Sequence, residues 1–102
     1  MYQKELIRSY LSKALTNYGS LALLLYLERL EKREEFEICS LIVEVIESYN
    51  DRYKTTLPTK VTEDDINFLS VKLDIPESHV IDTFKSYSII IEDQIKEIYK
   101  NE

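Results

Sequence analysis

The sequence predicts an all-α protein, a small bundle of about five helices, on three observations. The chain of 102 residues holds one glycine and two prolines, too few turn formers for an all-β fold, which needs them about every 8–12 residues. Its apolar residues recur at steps of three and four, the period of a helix face. Punctuation stands where that pattern breaks, at Gly19, Pro58, Thr62 and Pro76. The length fits one domain, residues 1–102. A hydrophobic content of 44% supplies a core and argues against disorder.

The first segment places Leu6, Ile7, Tyr10, Leu11, Ala14, Leu15 and Tyr18 on one stripe, predicting a helix over about residues 3–18. Gly19 fits the left-handed position that closes a helix, and Ser20 can cap the next one. Leu21–Leu27 is apolar on every side, so this second helix is either buried all round or covered by a partner. In FEICSLIVEVIESY, the residues Phe36, Cys39, Val43, Ile46, Tyr49 and Tyr53 again step by three and four. The β-branched residues there suit a strand, but nothing alternates and no turn residues bound the run, so a third helix is predicted. The stripes of the second and third helices fall out of phase through Lys32–Glu35, which predicts a tight hairpin. The EKREEFE stretch there resembles the turn of the UVR-type helical hairpin, although Cys39–Ser40 and Val43–Glu44 stand where that family has Ala-Ala and Arg-Asp.

Residues 54–62 read as a loop with Pro58 and several threonines, separating an N-terminal helical region (1–53) from a C-terminal unit (63–102). That unit opens on Thr62 as N-cap, with Glu63, Asp64 and Asp65 in the first turn, where acids suit the helix dipole. Val61 and Ile66 occupy the hydrophobic-staple positions. Ile66, Leu69, Ser70 and Leu73 share a face, Asp74-Ile75-Pro76 forms the turn, and Pro76 suits the start of a new helix. The last helix shows Val80, Phe84, Tyr87, Ile91, Ile95 and Ile98, a long stripe of about 22 residues or roughly 33 Å.

The stretch FLSVKLDIPESHV at 68–80 resembles the helix-turn-helix superfamily. Ser70 matches the small residue facing the second helix, Leu73 the aliphatic three positions on, and Ile75 and Val80 the residues that plug the corner. Asp74 stands where that family often has glycine. The resemblance implies a close-packed corner and, in DNA-binding members, a second helix that reads the major groove. The exposed positions expected for that work are Glu77, Ser78, His79, Ile81, Asp82 and Lys85, a poor set for gripping phosphates. Residues 1–60 hold nine Lys/Arg and nine Asp/Glu, whereas residues 61–102 hold four Lys and ten Asp/Glu. The whole net charge of −6 therefore lies on the half that would approach a polyanion, and nucleic acid is disfavoured as partner.

Catalysis and cofactors find no support. One glycine excludes phosphate-cradling loops and nucleophile elbows. His79 is the only histidine and Cys39 the only cysteine, so no zinc set can form, and Cys39 reads as a small core residue. The clusters Glu34-Glu35-Glu37, Glu63-Asp64-Asp65 and Glu92-Asp93 lack metal-ligand spacing. No metal, cofactor or catalytic residue is expected. The longest apolar run is seven residues, far below the roughly 20 that span a bilayer. A lone cysteine and the absence of a signal-peptide core in MYQKELIRSY point to the cytoplasm of a bacterium or of a virus-infected cell.

The expected function is a non-enzymatic protein–protein interaction module, a small accessory or inhibitor protein of viral or mobile-element type. Glu77, Ser78, His79, Asp82, Lys85, Ile89 and Ile90 form the candidate partner-binding set. Leu21, Leu24 and Leu25 form a candidate oligomer interface, since Leu21–Leu27 and Ile89-Ile90-Ile91 are more apolar than a small monomer easily hides. The alternative is a dimeric helix-turn-helix regulator of DNA, with N-terminal basic residues supplying phosphate contacts; Lys4 and Arg8, one turn apart near Tyr2, read as a solvated face.

Overall fold

The computed structural model describes residues 2–100, which hold five helices and no strand. They are α1 (Tyr2–Tyr18), α2 (Ser20–Lys32), α3 (Phe36–Tyr53), α4 (Glu63–Leu73) and α5 (Glu77–Lys100). Among these residues no helix is long and apolar enough to cross a membrane.

α2 is the centre of the bundle. It packs on α1, α3 and, most extensively, α5. Leu21, Ala22, Leu23, Leu24, Tyr26, Leu27 and Leu30 are all buried, because a helix with neighbours on three sides needs apolar residues around most of its circumference. Each large side chain buried in this way contributes about 1.5–3 kcal/mol. Leu21 and Leu24 are 4% and 1% exposed, so they belong to the chain's own core rather than to a free oligomer face. Only Leu25 of that trio keeps partial exposure.

α1 contributes Ile7, Leu11, Ala14 and Leu15 to the core, while Leu6 faces outward. The buried side of α3 is rotated from the stripe expected. Ile38, Cys39, Leu41, Ile42, Val45 and Ile46 are buried, whereas Phe36 and Tyr53 at the helix ends are 60% and 57% exposed. α3 has partners on two sides, α1 and α2, and its β-branched run fills the space between them. α5 follows its predicted stripe, with Val80, Ile91 and Ile95 buried and Phe84, Tyr87 and Ile98 partly buried.

The reversals solve one problem in two ways. Gly19, with φ 90° and ψ 162°, caps the start of α2, and Ser20 is already its first residue rather than the cap. A single residue joins two helices here, and that extended, positive-φ backbone is essentially restricted to glycine. The other three ends use Glu34 (φ 59°), Lys54 (φ 55°) and Asp74 (φ 55°) in the left-handed region. The N–H groups of Glu35, Thr55 and Ile75 reach back to the carbonyls of Leu30, Asn50 and Ser70 at 3.0, 3.1 and 3.2 Å, the closing bond of a Schellman turn. The hairpin between α2 and α3 is therefore a true break. Asn50 also organises the loop after α3: its Oδ1 accepts from Leu57 N at 2.8 Å, and its Nδ2 donates to Leu57 O at 2.9 Å. That anchor sets Leu57 against the core.

Candidate interaction surface

α4 is attached differently from the other helices. α4 packs chiefly on α5 and buries no residue. Its 11 residues fall short of the roughly 12–15 at which an isolated helix becomes even marginal in water. Local bonds at its two ends supply the order that burial does not. Thr62 Oγ1 accepts from Asp65 N at 3.3 Å and donates to Asp65 Oδ2 at 2.7 Å. At the other end Ser70 Oγ donates to Ile75 O at 2.6 Å, which ties the corner across the left-handed Asp74. Val80 is fully buried beneath that corner, and Ile66, Leu69, Ser70 and Ile75 are half-buried. Leu73, expected on the inner face, is 49% exposed, because the turn begins beside it and leaves nothing packed over it.

The outer face of α4 carries large apolar side chains. Phe68 and Val71 are 62% and 74% exposed, and their three-residue step places them together on the helix surface. Lys72 Nζ lies 5.7 Å from the centre of the Phe68 ring, a cation–π distance. Beside Phe68 a groove of about 210 Å³ runs between α4, the loop and the start of α2, lined mainly by Leu21, Leu24, Leu57, Pro58 and Leu69. Asp65 stands on its wall. Residues 61–85 hold six carboxylates (Glu63, Asp64, Asp65, Asp74, Glu77 and Asp82) against Lys72 and Lys85. The segment that carries the apolar strip is therefore net acidic, with Lys72 as the cation over Phe68 itself.

The partner-binding residues expected from sequence divide in two. Glu77, Ser78, His79, Asp82 and Lys85 are exposed along the first turns of α5, near the corner. Ile89 and Ile90 are 46% and 43% exposed and continue the same helix, about 6 Å beyond Lys85 and about 18 Å beyond Glu77 at 1.5 Å per residue. They make a smaller apolar spot at the far end of that exposed stretch of α5. Sequence reasoning missed Phe68 and Val71 as surface residues, since the helix-turn-helix pattern directs attention to the inner face of α4.

It also missed a polar seam between α2 and α5. Glu92 is 7% exposed and was legible only as an acidic pair with Asp93. Arg29 Nη2 donates to its Oε1 at 3.1 Å, and Arg33 Nη1 donates to its Oε2. Arg29 Nη1 donates to the Oγ of buried Ser88 at 2.8 Å, and that hydroxyl in turn donates a hydrogen bond to Lys85 O at 2.6 Å. Burial pushes the Glu92 carboxyl up, but the hydrogen bonds and charges of Arg33 and Arg29 outweigh it and hold the group below the usual carboxylate range. A carboxylate matched by two guanidiniums is neutralised and holds helix register; it has no proton to trade at neutral pH. Burial likewise raises the Tyr26 phenol and the Cys39 thiol, which keeps both protonated. Among the described residues no group of three His, Cys, Asp or Glu side chains could hold a metal ion.

Three arginines of the N-terminal half are also engaged. Arg8 pairs with Glu5 and Glu44 at 3.1 and 3.2 Å, and Arg29 and Arg33 serve Glu92. The site thus defines a five-helix bundle that presents an acidic, apolar corner. No family model, curated protein or solved structure matches the chain.

Proposed function

We propose that the protein is a non-enzymatic interaction module that docks on a partner protein through the α4–α5 corner. The observation that carries this reading is α4 itself, a helix with no buried residue whose outer face exposes Phe68 and Val71. Apolar side chains grouped on one exposed face mark a contact surface. The acidic bias of the chain fits an accessory or inhibitor protein.

A helix-turn-helix regulator of DNA is the other use of such a corner. It requires phosphate-binding cations near the first turns of α5, where Glu77 and Asp82 are exposed. Of the N-terminal basic residues, Arg8 is held by two carboxylates.

The test installs a photoreactive benzoylphenylalanine at position 68 and, separately, at position 36, followed by irradiation in the cell of origin. A discrete protein adduct from position 68 that is absent from position 36 supports docking through this corner. Adducts to nucleic acid alone, or none, would overturn it. Tight binding of non-specific DNA in a low-salt gel shift would overturn it as well.

A further inference from the structure

The chemistry of the corner narrows the partner, and the following rests on the interaction-module reading. We infer that the groove beside Phe68 receives a basic amphipathic helix of the partner protein, with an apolar side chain in the groove and Lys or Arg residues over the surrounding carboxylates.

Four features point there. The groove is small, about 210 Å³, below the roughly 300–1,000 Å³ of sites that enclose drug-sized ligands. It suits a side-chain anchor, and its lining of Leu21, Leu24, Leu57, Pro58 and Leu69 selects an apolar one. Phe68 and Val71 extend that apolar surface along the exposed face of α4, which matches a ligand whose own apolar residues recur every three or four positions. The described residues contain no strand, so addition of an extended segment to a sheet edge is not open to this fold, and a helix laid in a groove is the matching mode. The six carboxylates of residues 61–85 then select the flanking charge.

That charge also sets aside the competing occupants. A second copy meeting this face symmetrically would bring the same carboxylates against one another. A nucleic acid meets the same repulsion. A cationic helix gains in both encounter rate and register.

The experiment titrates the full-length protein with three synthetic peptides at low salt, read by fluorescence anisotropy. The first is a helical Leu/Lys peptide with one apolar face, the second has the same composition scrambled to remove that face, and the third carries Glu in place of Lys. The first peptide is expected to bind at least about tenfold more tightly than the other two, a difference of about 1.4 kcal/mol. Phe68→Ser and the pair Glu63→Lys/Asp64→Lys should each weaken it about tenfold or more, while Phe36→Ser leaves it unchanged. Phe68 is mostly exposed, so the variant keeps its fold, and circular dichroism checks this. Equal binding of the scrambled peptide would reduce the effect to polycation attraction and overturn the inference. So would binding of the Glu peptide, an equal loss in Phe36→Ser, or no binding at all. A protein adduct at position 68 with a silent peptide titration would sink the basic helix and leave the interaction module standing. Failure of both would remove both.

Discussion

Glu92→Gln removes the charge from the seam between α2 and α5 while keeping the shape of the side chain. Breaking a fully buried ion pair from one side costs about 3–5 kcal/mol. Here the Arg29 and Arg33 side chains retain 24% and 47% exposure, so water screens part of the loss, and the glutamine oxygen can still accept one hydrogen bond. A cost of about 2 kcal/mol at pH 7 is expected, because hydrogen bonds to charged groups contribute about 1.5–3 kcal/mol each before such screening. For a domain of this size that lowers Tm by about 10 °C. The pH dependence gives a second check. The folded pKa of Glu92 lies below its ordinary value, so its contribution is complete above the unfolded pKa of about 4.3 and is lost as pH falls through the folded one. Urea denaturation followed by circular dichroism, on wild type and variant at neutral and strongly acid pH, should show a gap that closes on acidification. A cost under about 0.5 kcal/mol at pH 7, or the same cost at both pH values, would refute the assignment of Glu92 as the charge that locks the two helices.

Asn50→Ala should destabilise by about 2 kcal/mol in the same assay, because both polar groups of Leu57 lose their partner. Gly19→Ala should cost about 1–3 kcal/mol from backbone strain alone, since an added Cβ meets only Phe84 Cε1 at an ordinary 3.6 Å; Lys54→Gly, where a side chain now holds φ 55°, should instead raise the unfolding free energy from urea denaturation by about 0.5–1 kcal/mol. Amide hydrogen exchange should find α4 opening at lower free energy than α2, and Thr62→Ala should lower protection across α4 by about 1 kcal/mol with less effect on global unfolding. Uniform protection across α2 and α4 would contradict its shallow burial.

Much of the fold was legible because its signals are local. Gly19, the Thr62–Asp65 start and the Asp74–Pro76 turn each mark a helix end within a few residues. The stripe of α5 gave its inner face for the same reason. What escaped depends on neighbours far along the chain. Whether Leu21 and Leu24 faced a partner or the protein's own core turned on how α2 is surrounded by α1, α3 and α5 and flanked by the loop at Leu57 and Pro58. Glu92 found Arg29 and Arg33 at separations of 63 and 59 residues, with no pattern in either segment to announce the pair. The rotation of α3 arose from its two-sided packing, which a single stripe cannot express. The surface followed the same rule: acidity was countable, but the exposure of Phe68 and Val71 required knowing that nothing covers α4 from outside.

The shallow seat of α4 has a consequence for how this surface can change. Because Phe68 and Val71 contribute little to the core, their identities are nearly independent of whether the chain folds. A library randomised at Asp64, Asn67, Phe68 and Val71 should therefore yield mostly folded members. The bundle acts as a fixed handle, and α4 is a writable label whose wording can be revised without remaking the rest.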